Sequence, residues 1–201
     1  MGKEPIGDIR EGSMRIVSLV IVAILCVPSQ SQESKSQEKI WKMVPPGYAP
    51  RLQPLELSAV QIGAVRRLLT ATYNDSWACG GPDLAEAIKD LQVESLPYQN
   101  SANSPKAGHG PGVLLVEPGS GCLRGGQGAN AAMWVIDFRS NDPVLIASPA
   151  DDFSGYFWAV VPVFSHGMPD LVLAWHMSAT DNPQTYFKFD GIHYRRIAER
   201  D

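Results

Sequence analysis

Residues 126–131 read Gly-Gln-Gly-Ala-Asn-Ala and fit the pattern G-x-G-x-x-A. Glycines at that spacing let a backbone approach a pyrophosphate, and the N–H groups of a helix opening there face the anion. Such chemistry needs a strand directly before the glycines and a helix directly after them. Here the strand-like VLLVEP ends at Pro118, eight residues upstream, and the MWVIDF that follows is aromatic and β-branched, a strand pattern. No Lys-Ser or Lys-Thr pair turns the run into a P-loop. No cofactor is therefore expected. The glycines read instead as a turn, tethered by Cys122 to Cys79, that leads Trp134 into the core.

Four histidines are present: His109, His166, His176 and His193. A metal set would join His166, Asp170, His176 and Asp181, but no two of these have the HxH or HExxH spacing that puts ligands on one face. Gly119-Ser120-Gly121 is not a nucleophile elbow, and no GxSxG occurs. Asp151 and Asp152 follow Pro149 in a turn and read as solvated rather than as a general acid/base pair. No catalytic, cofactor-binding or metal-ligating residue is assigned on these grounds. Trp134, Trp158 and Trp175 fall on separate strands; on a shared exposed face they would stack a sugar or peptide, and otherwise they fill a core.

The N-terminus says where the chain goes. Arg10 and Arg15 precede an apolar core of twelve residues, Ile16 to Val27, followed by Pro28 and by Ser29 and Ser31 at the −3 and −1 positions of a cut. That is the layout of a cleavable signal peptide, and a bilayer span needs roughly 20 apolar residues. Residues 1–31 are read as the signal, with Met14 as an alternative start. Leu25 before Cys26 is bulky where lipoprotein signals carry a small residue, so lipidation is not expected. Export leaves two cysteines, Cys79 and Cys122, and an oxidising compartment favours their pairing over two buried thiols. The bridge would close about 44 residues, worth ~4 kcal/mol in the chain-entropy account. The net charge of −4, without a basic block, gives no footprint for nucleic acid.

Residues 32–56 read as a polar, then Pro-rich, extended linker, and residues 57–201 as one domain. The spacing predicts a helix over 57–73, capped by Ser58, with Val60, Ala64, Leu68 and Ala71 on one face, joined by Leu57 and Val65 nearby. A second helix is predicted over 82–92, and 98–112 is a loop. From 113 onward, short β-branched and aromatic runs alternate with Gly, Pro, Asn and Asp, the mark of an antiparallel meander. In DLVLAWHM, Leu171, Leu173, Trp175 and Met177 share a face; in TYFKFDG, Phe187 and Phe189 do. Asp190-Gly191 predicts a two-residue hairpin turn, and residues 140–143 a second turn. The fold class expected is α+β, with two N-terminal helices packed on a C-terminal meander of about six to seven strands.

Two resemblances lie in the last third. GMPDLVL resembles the end of the calcium-loop strand of FG-GAP and VCBS propeller repeats, although FSHG stands where their acidic ligands would be. The ending DLVLAWHMS…YFKFDGIHYRR, with the Cys-Gly-rich-Trp stretch, resembles uncharacterised exported bacterial proteins whose chains end in a hairpin of the type Y-x-F-D-G-x-x-Y. This likeness spans 113–196 and implies an envelope location and a small α+β or β-rich domain. The function expected is a non-enzymatic exported module that binds an envelope protein, peptide or glycan, an enzyme inhibitor being one form. Two rivals remain: a hydrolase using His166 or His176, and a structural part of an envelope assembly.

Overall fold

A computed structural model describes residues 37–44, 52–72, 81–99, 111–119, 121–124, 130–140, 142–178 and 181–201. The signal-like leader, Cys79 and His109 lie outside them. Among these described residues the architecture is mixed but mostly β: ten strands form two antiparallel sheets, with few helices.

Sheet I has the order β1 (Gln53–Pro54), β2 (Leu91–Leu96), β3 (Gly112–Pro118), β5 (Trp134–Phe138), β6 (Val144–Ala147). Sheet II has the order β10 (Tyr194–Arg200), β9 (Gln184–Phe189), β8 (Met168–Ala174), β7 (Ser154–Ser165), β4 (Ala131–Ala132). The single meander of six to seven strands expected from the sequence is thus corrected to ten strands in two stacked sheets. The reason lies in the middle strands. Every residue of β8 is buried, as are all of β3 but Glu117. A strand buried on both faces needs a layer on each side.

Three apolar clusters fill those layers. Leu96, Val113, Leu115, Val135 and Ile146 of sheet I meet Phe157, Leu171, Leu173, Phe187 and Phe189 of sheet II in the central core. A second cluster joins Leu114, Val116, Trp134 and Ile136 to Val65, Leu69, Leu84 and Ala87 of the helical segments. A third, on Ala159, Val161, Val172 and Tyr186 of sheet II, is completed by Ile40, Trp41, Met43 and Val44.

That third cluster shows the start of the expected linker lying against the domain, with a short helical turn where an extended chain was expected. Residues 37–41 are helical, and Trp41 sets its ring edge-on to Tyr186 at 6.0 Å, beneath the Arg200 guanidinium at 4.4 Å. Four of the five residues from Ile40 to Val44 are apolar and have a face to bury, and the outer side of sheet II is the apolar surface they cover.

Helix α1 (Ala59–Thr72) starts where expected. Gln61 N–H donates to Ser58 Oγ at 3.3 Å and Ser58 N–H to Gln61 Oε1 at 2.9 Å, a capping box. Its buried residues are Val65 and Leu69, and Leu57, Ala64 and Leu68 pack beside them as expected, whereas Val60 is 79% exposed and Ala71 is exposed, so the packed face is shifted toward Leu69. Helix α2 (Gly81–Ala87) stops five residues short of the predicted end. Leu91 and Gln92 are taken by β2, which pairs with Pro118 and Glu117 of β3. Arg66 of α1 donates through Nε to Ile88 O at 3.1 Å and through Nη2 to Lys89 O, satisfying carbonyls just past the end of α2.

The β9–β10 hairpin is present, but its loop has four residues, with Phe189 paired to Tyr194. Asp190 Oδ1 accepts the N–H groups of Ile192 and His193, each at 2.8 Å, and Oδ2 accepts Arg195 Nε at 2.9 Å. These bonds, the His193 N–H foremost, then Arg195 and the Ile192 N–H, hold the carboxyl well below the usual carboxylate range. A lowered folded pKa stabilises above the unfolded value of about 4 and loses that contribution as pH falls. Asp190→Asn is therefore expected to lower the thermal midpoint at pH 7, and the gap from the parent should close on titration from pH 5 downward. A gap that is independent of pH would contradict this account.

Candidate functional site

A groove of about 260 Å³ opens at one end of sheet II. Its walls come from the segment before β7 and its first residue (Asp152, Ser154), the end of β8 and the loop after it (Leu173, Ala174, Trp175, Met177, Pro183), and β9 and β10 (Thr185, Arg196, Glu199). Trp175 is 45% and Met177 64% exposed, two of the few large apolar side chains left at the surface among the described residues.

Local rules explain how these side chains come together. On a regular strand, residues 196 and 199 would face opposite sides, because side chains alternate. The register of β10 slips between Arg196 and Ala198, so Ile197 is an extra residue. This bulge returns Glu199 to the face of Arg196, and Arg196 Nη2 donates to Glu199 Oε2. Arg196 Nη1 also lies 3.7 Å from Asp152 Oδ2. Asp152 ends the 3-10 turn Pro149–Asp151 with φ 60°, a left-handed conformation that Asp and Asn tolerate better than most residues.

The loop bearing Trp175 and Met177 is anchored at several points. Trp175 N–H donates to Pro183 O at 2.9 Å, and Met177 N–H to Asp181 O at 3.1 Å. Asn130 clasps the backbone of His176, donating Nδ2 to its carbonyl at 2.9 Å and accepting its N–H on Oδ1 at 2.7 Å. Asn130 belongs to the G-x-G-x-x-A run. Its observed role is to hold this loop; a strand, not a helix, follows it, and Trp134 is fully buried, while Gly126 and Gly128 lie outside the described residues.

Beneath the fold's other end lies a buried polar group. Asp170 is 2% exposed; its Oδ1 accepts Ser165 Oγ at 2.7 Å and its Oδ2 accepts Tyr186 Oη at 2.8 Å. Tyr194 Oη donates to Pro169 O at 2.8 Å. Burial first, and the Asp170 carboxylate second, push both phenols up from their ordinary value near 10.

The residues singled out in the sequence fall as follows. His166 sits at the β7–β8 turn with φ 51°, followed by Gly167 at 82°, so this hairpin has the two left-handed residues expected instead at Asp190-Gly191. His176 is exposed, and its Nδ1 lies 2.9 Å from Asn182 Oδ1, an amide rather than a carboxylate. Asp151 accepts Ser148 Oγ at 2.9 Å. Among the described residues, no group of three or more His, Cys, Asp and Glu side chains is placed to hold a metal ion. The three tryptophans do not share a face: Trp134 is in the helix-side cluster, Trp158 lies half-buried on the outer side of sheet II, and Trp175 lines the groove. Cys122 lies in a turn, and Cys79, the partner expected for it, lies outside the described residues.

Met177, Arg196 and Glu199 went unrecognised as site residues in the sequence. Only the outward charge pattern of YRRIAER hinted at the last two. No family model, curated protein or solved structure matches the chain. Among the described residues, no helix is long and apolar enough to cross a membrane.

Proposed function

We propose that this chain is an exported, non-enzymatic module that binds a protein, peptide or glycan in the bacterial envelope, and that the Trp175 groove is its recognition site. The observation that carries the reading is an exposed indole and thioether, Trp175 and Met177, held by a hydrogen-bonded loop beside an Arg196–Glu199–Asp152 cluster. A surface aromatic beside a few placed polar groups is the composition of a recognition site. The hydrolase reading is weaker, since His176 faces an amide and His166 caps an exposed turn. A structural role in an assembly has no observation in its favour beyond scattered exposed apolar residues.

In this reading the leader directs export and is cut after Ser31, and Cys122 pairs with Cys79. The turn bearing Cys122 lies against α2: a Cβ on Gly121 would sit 3.3 Å from Ala87 Cβ, and α2 opens two residues after Cys79. The two helices form a layer on sheet I that this bridge would brace. The full chain, immobilised and exposed to envelope extract, is expected to retain a defined partner. Trp175→Ala with Met177→Ala should reduce that retention at least about tenfold, the scale of a hot-spot aromatic, with an unchanged thermal midpoint. Recovery of no protein, peptide or glycan by the parent chain, or equal recovery by the variant, would overturn the reading.

A further inference from the structure

Resting on the binding reading above, we propose that the groove takes a basic side chain, lysine or arginine, presented by a peptide segment of the partner. Size argues first. At about 260 Å³ the groove is smaller than the roughly 300–1,000 Å³ of drug-sized ligand sites, and suits one long side chain. The lining argues second. The exposed Trp175 offers the aromatic surface that attracts a cation, and Leu173, Met177 and Pro183 offer apolar surface for a methylene stem. Charge argues third. Two carboxylates, Asp152 and Glu199, face a single cation, Arg196. Glu199 is committed to Arg196 by a direct hydrogen bond, whereas Asp152 stands 3.7 Å away with its side chain 74% exposed. Asp152 therefore retains acceptor capacity for a second cation. The chain already uses this chemistry internally, where the Arg200 guanidinium lies over Trp41.

The test uses the full chain and three probes: acetyl-Ala-Lys-Ala-Lys-Ala-amide, its glutamate counterpart, and chitotetraose as a neutral glycan. The lysine peptide is expected to bind saturably and less tightly as salt is raised, since exposed charges are screened. Trp175→Ala should weaken it about two- to fivefold. Asp152→Asn should weaken it about two- to fivefold, and Glu199→Gln by a smaller factor because Glu199 is committed to Arg196; Asn keeps the left-handed backbone at 152. Arg196→Gln frees both carboxylates and should tighten binding, a result that a purely structural role for Arg196 would not give. Thermal midpoints check that each variant folds. Equal binding of the glutamate peptide, or weaker lysine-peptide binding in Arg196→Gln, overturns the proposal. Trp175-dependent binding of chitotetraose without the lysine peptide overturns it too, yet leaves the binding module standing. If no probe binds, the proposal also falls, and retention from envelope extract decides the broader reading separately.

Discussion

Gly155→Ala is expected to destabilise the protein by about 2–5 kcal/mol and to abolish binding at the groove. Gly155 has φ 119°, a conformation that side chains rarely adopt. A Cβ there would stand 2.3 Å from the Ala174 carbonyl oxygen and 3.6 Å from the Trp175 Cα. Both neighbours are backbone, so neither gives way without moving β8 where it hands over to the loop that carries Trp175. The same residue pairs with Ala131 of β4, one position from the Asn130 clasp. One methyl group therefore strikes stability and site together. Gly63→Ala is the contrast. Gly63 lies inside α1, and a Cβ would meet only the end of the Arg67 side chain at 3.5 Å. That change should stabilise by about 0.5–1 kcal/mol, because Ala costs less backbone entropy in a helix. Chemical unfolding of the two variants measures both effects. A Gly155→Ala protein as stable as the parent would show that the β7–β8 contact is not as close as described.

Steep alkaline unfolding is the second large effect expected. Tyr186 and Tyr194 are almost fully buried, and burial, then Asp170, hold both phenols neutral well above pH 10. In the unfolded chain both ionise near pH 10. Above that pH the unfolded state binds fewer protons than the folded one, so stability falls as pH rises. The slope is at most about 1.4 kcal/mol per pH unit for each tyrosine, or roughly 2.7 for the pair. Below pH 10 the contribution is complete. Tyr186→Phe should halve the slope. At pH 7 it should also cost about 1.5–3 kcal/mol, because Asp170 Oδ2 loses its donor while remaining buried. Stability curves from pH 8 to 11.5 test both statements. A parent chain with flat stability to pH 11.5 would refute them, as would a Tyr186→Phe variant with the parent's slope.

How much of this was legible beforehand depends on which physical quantity sets each feature. The Ser58 cap was readable because it is local: one hydroxyl, one Gln, three residues apart. The burial of Phe187 and Phe189 was readable because a strand alternates with a fixed period, and both lie in the central core. The same rule misplaced Trp175 and Met177. They continue the Leu171–Leu173 alternation, but β8 ends at Ala174, which pairs with Gln184, the first residue of β9. Alternation does not say where a ladder stops. The face of α1 was readable at Leu57, Ala64, Val65 and Leu68, all of which meet the helix-side cluster, and missed at Val60 and Ala71, because apolar residues surround much of that helix and the sheet it meets centres the contact on Val65 and Leu69. The Asp190-Gly191 pair was identified as a turn, but the carboxylate of Asp190 captures two N–H groups and lengthens the loop to four residues.

Taken by itself, the amino-acid order determined the strand-rich α+β character, the helix cap and the hairpins. Each follows from contacts within a few residues, or from a period of two. Tertiary structure alone decided that the strands divide into two stacked sheets, that residues 37–44 cover one of them, and that Asn130, Trp175, Arg196, Glu199 and Asp152 converge on one groove. Those outcomes depend on register slips and on surfaces brought together from distant parts of the chain. A single bulge at Ile197 changes which face a side chain occupies, and no local propensity marks where such a bulge will fall.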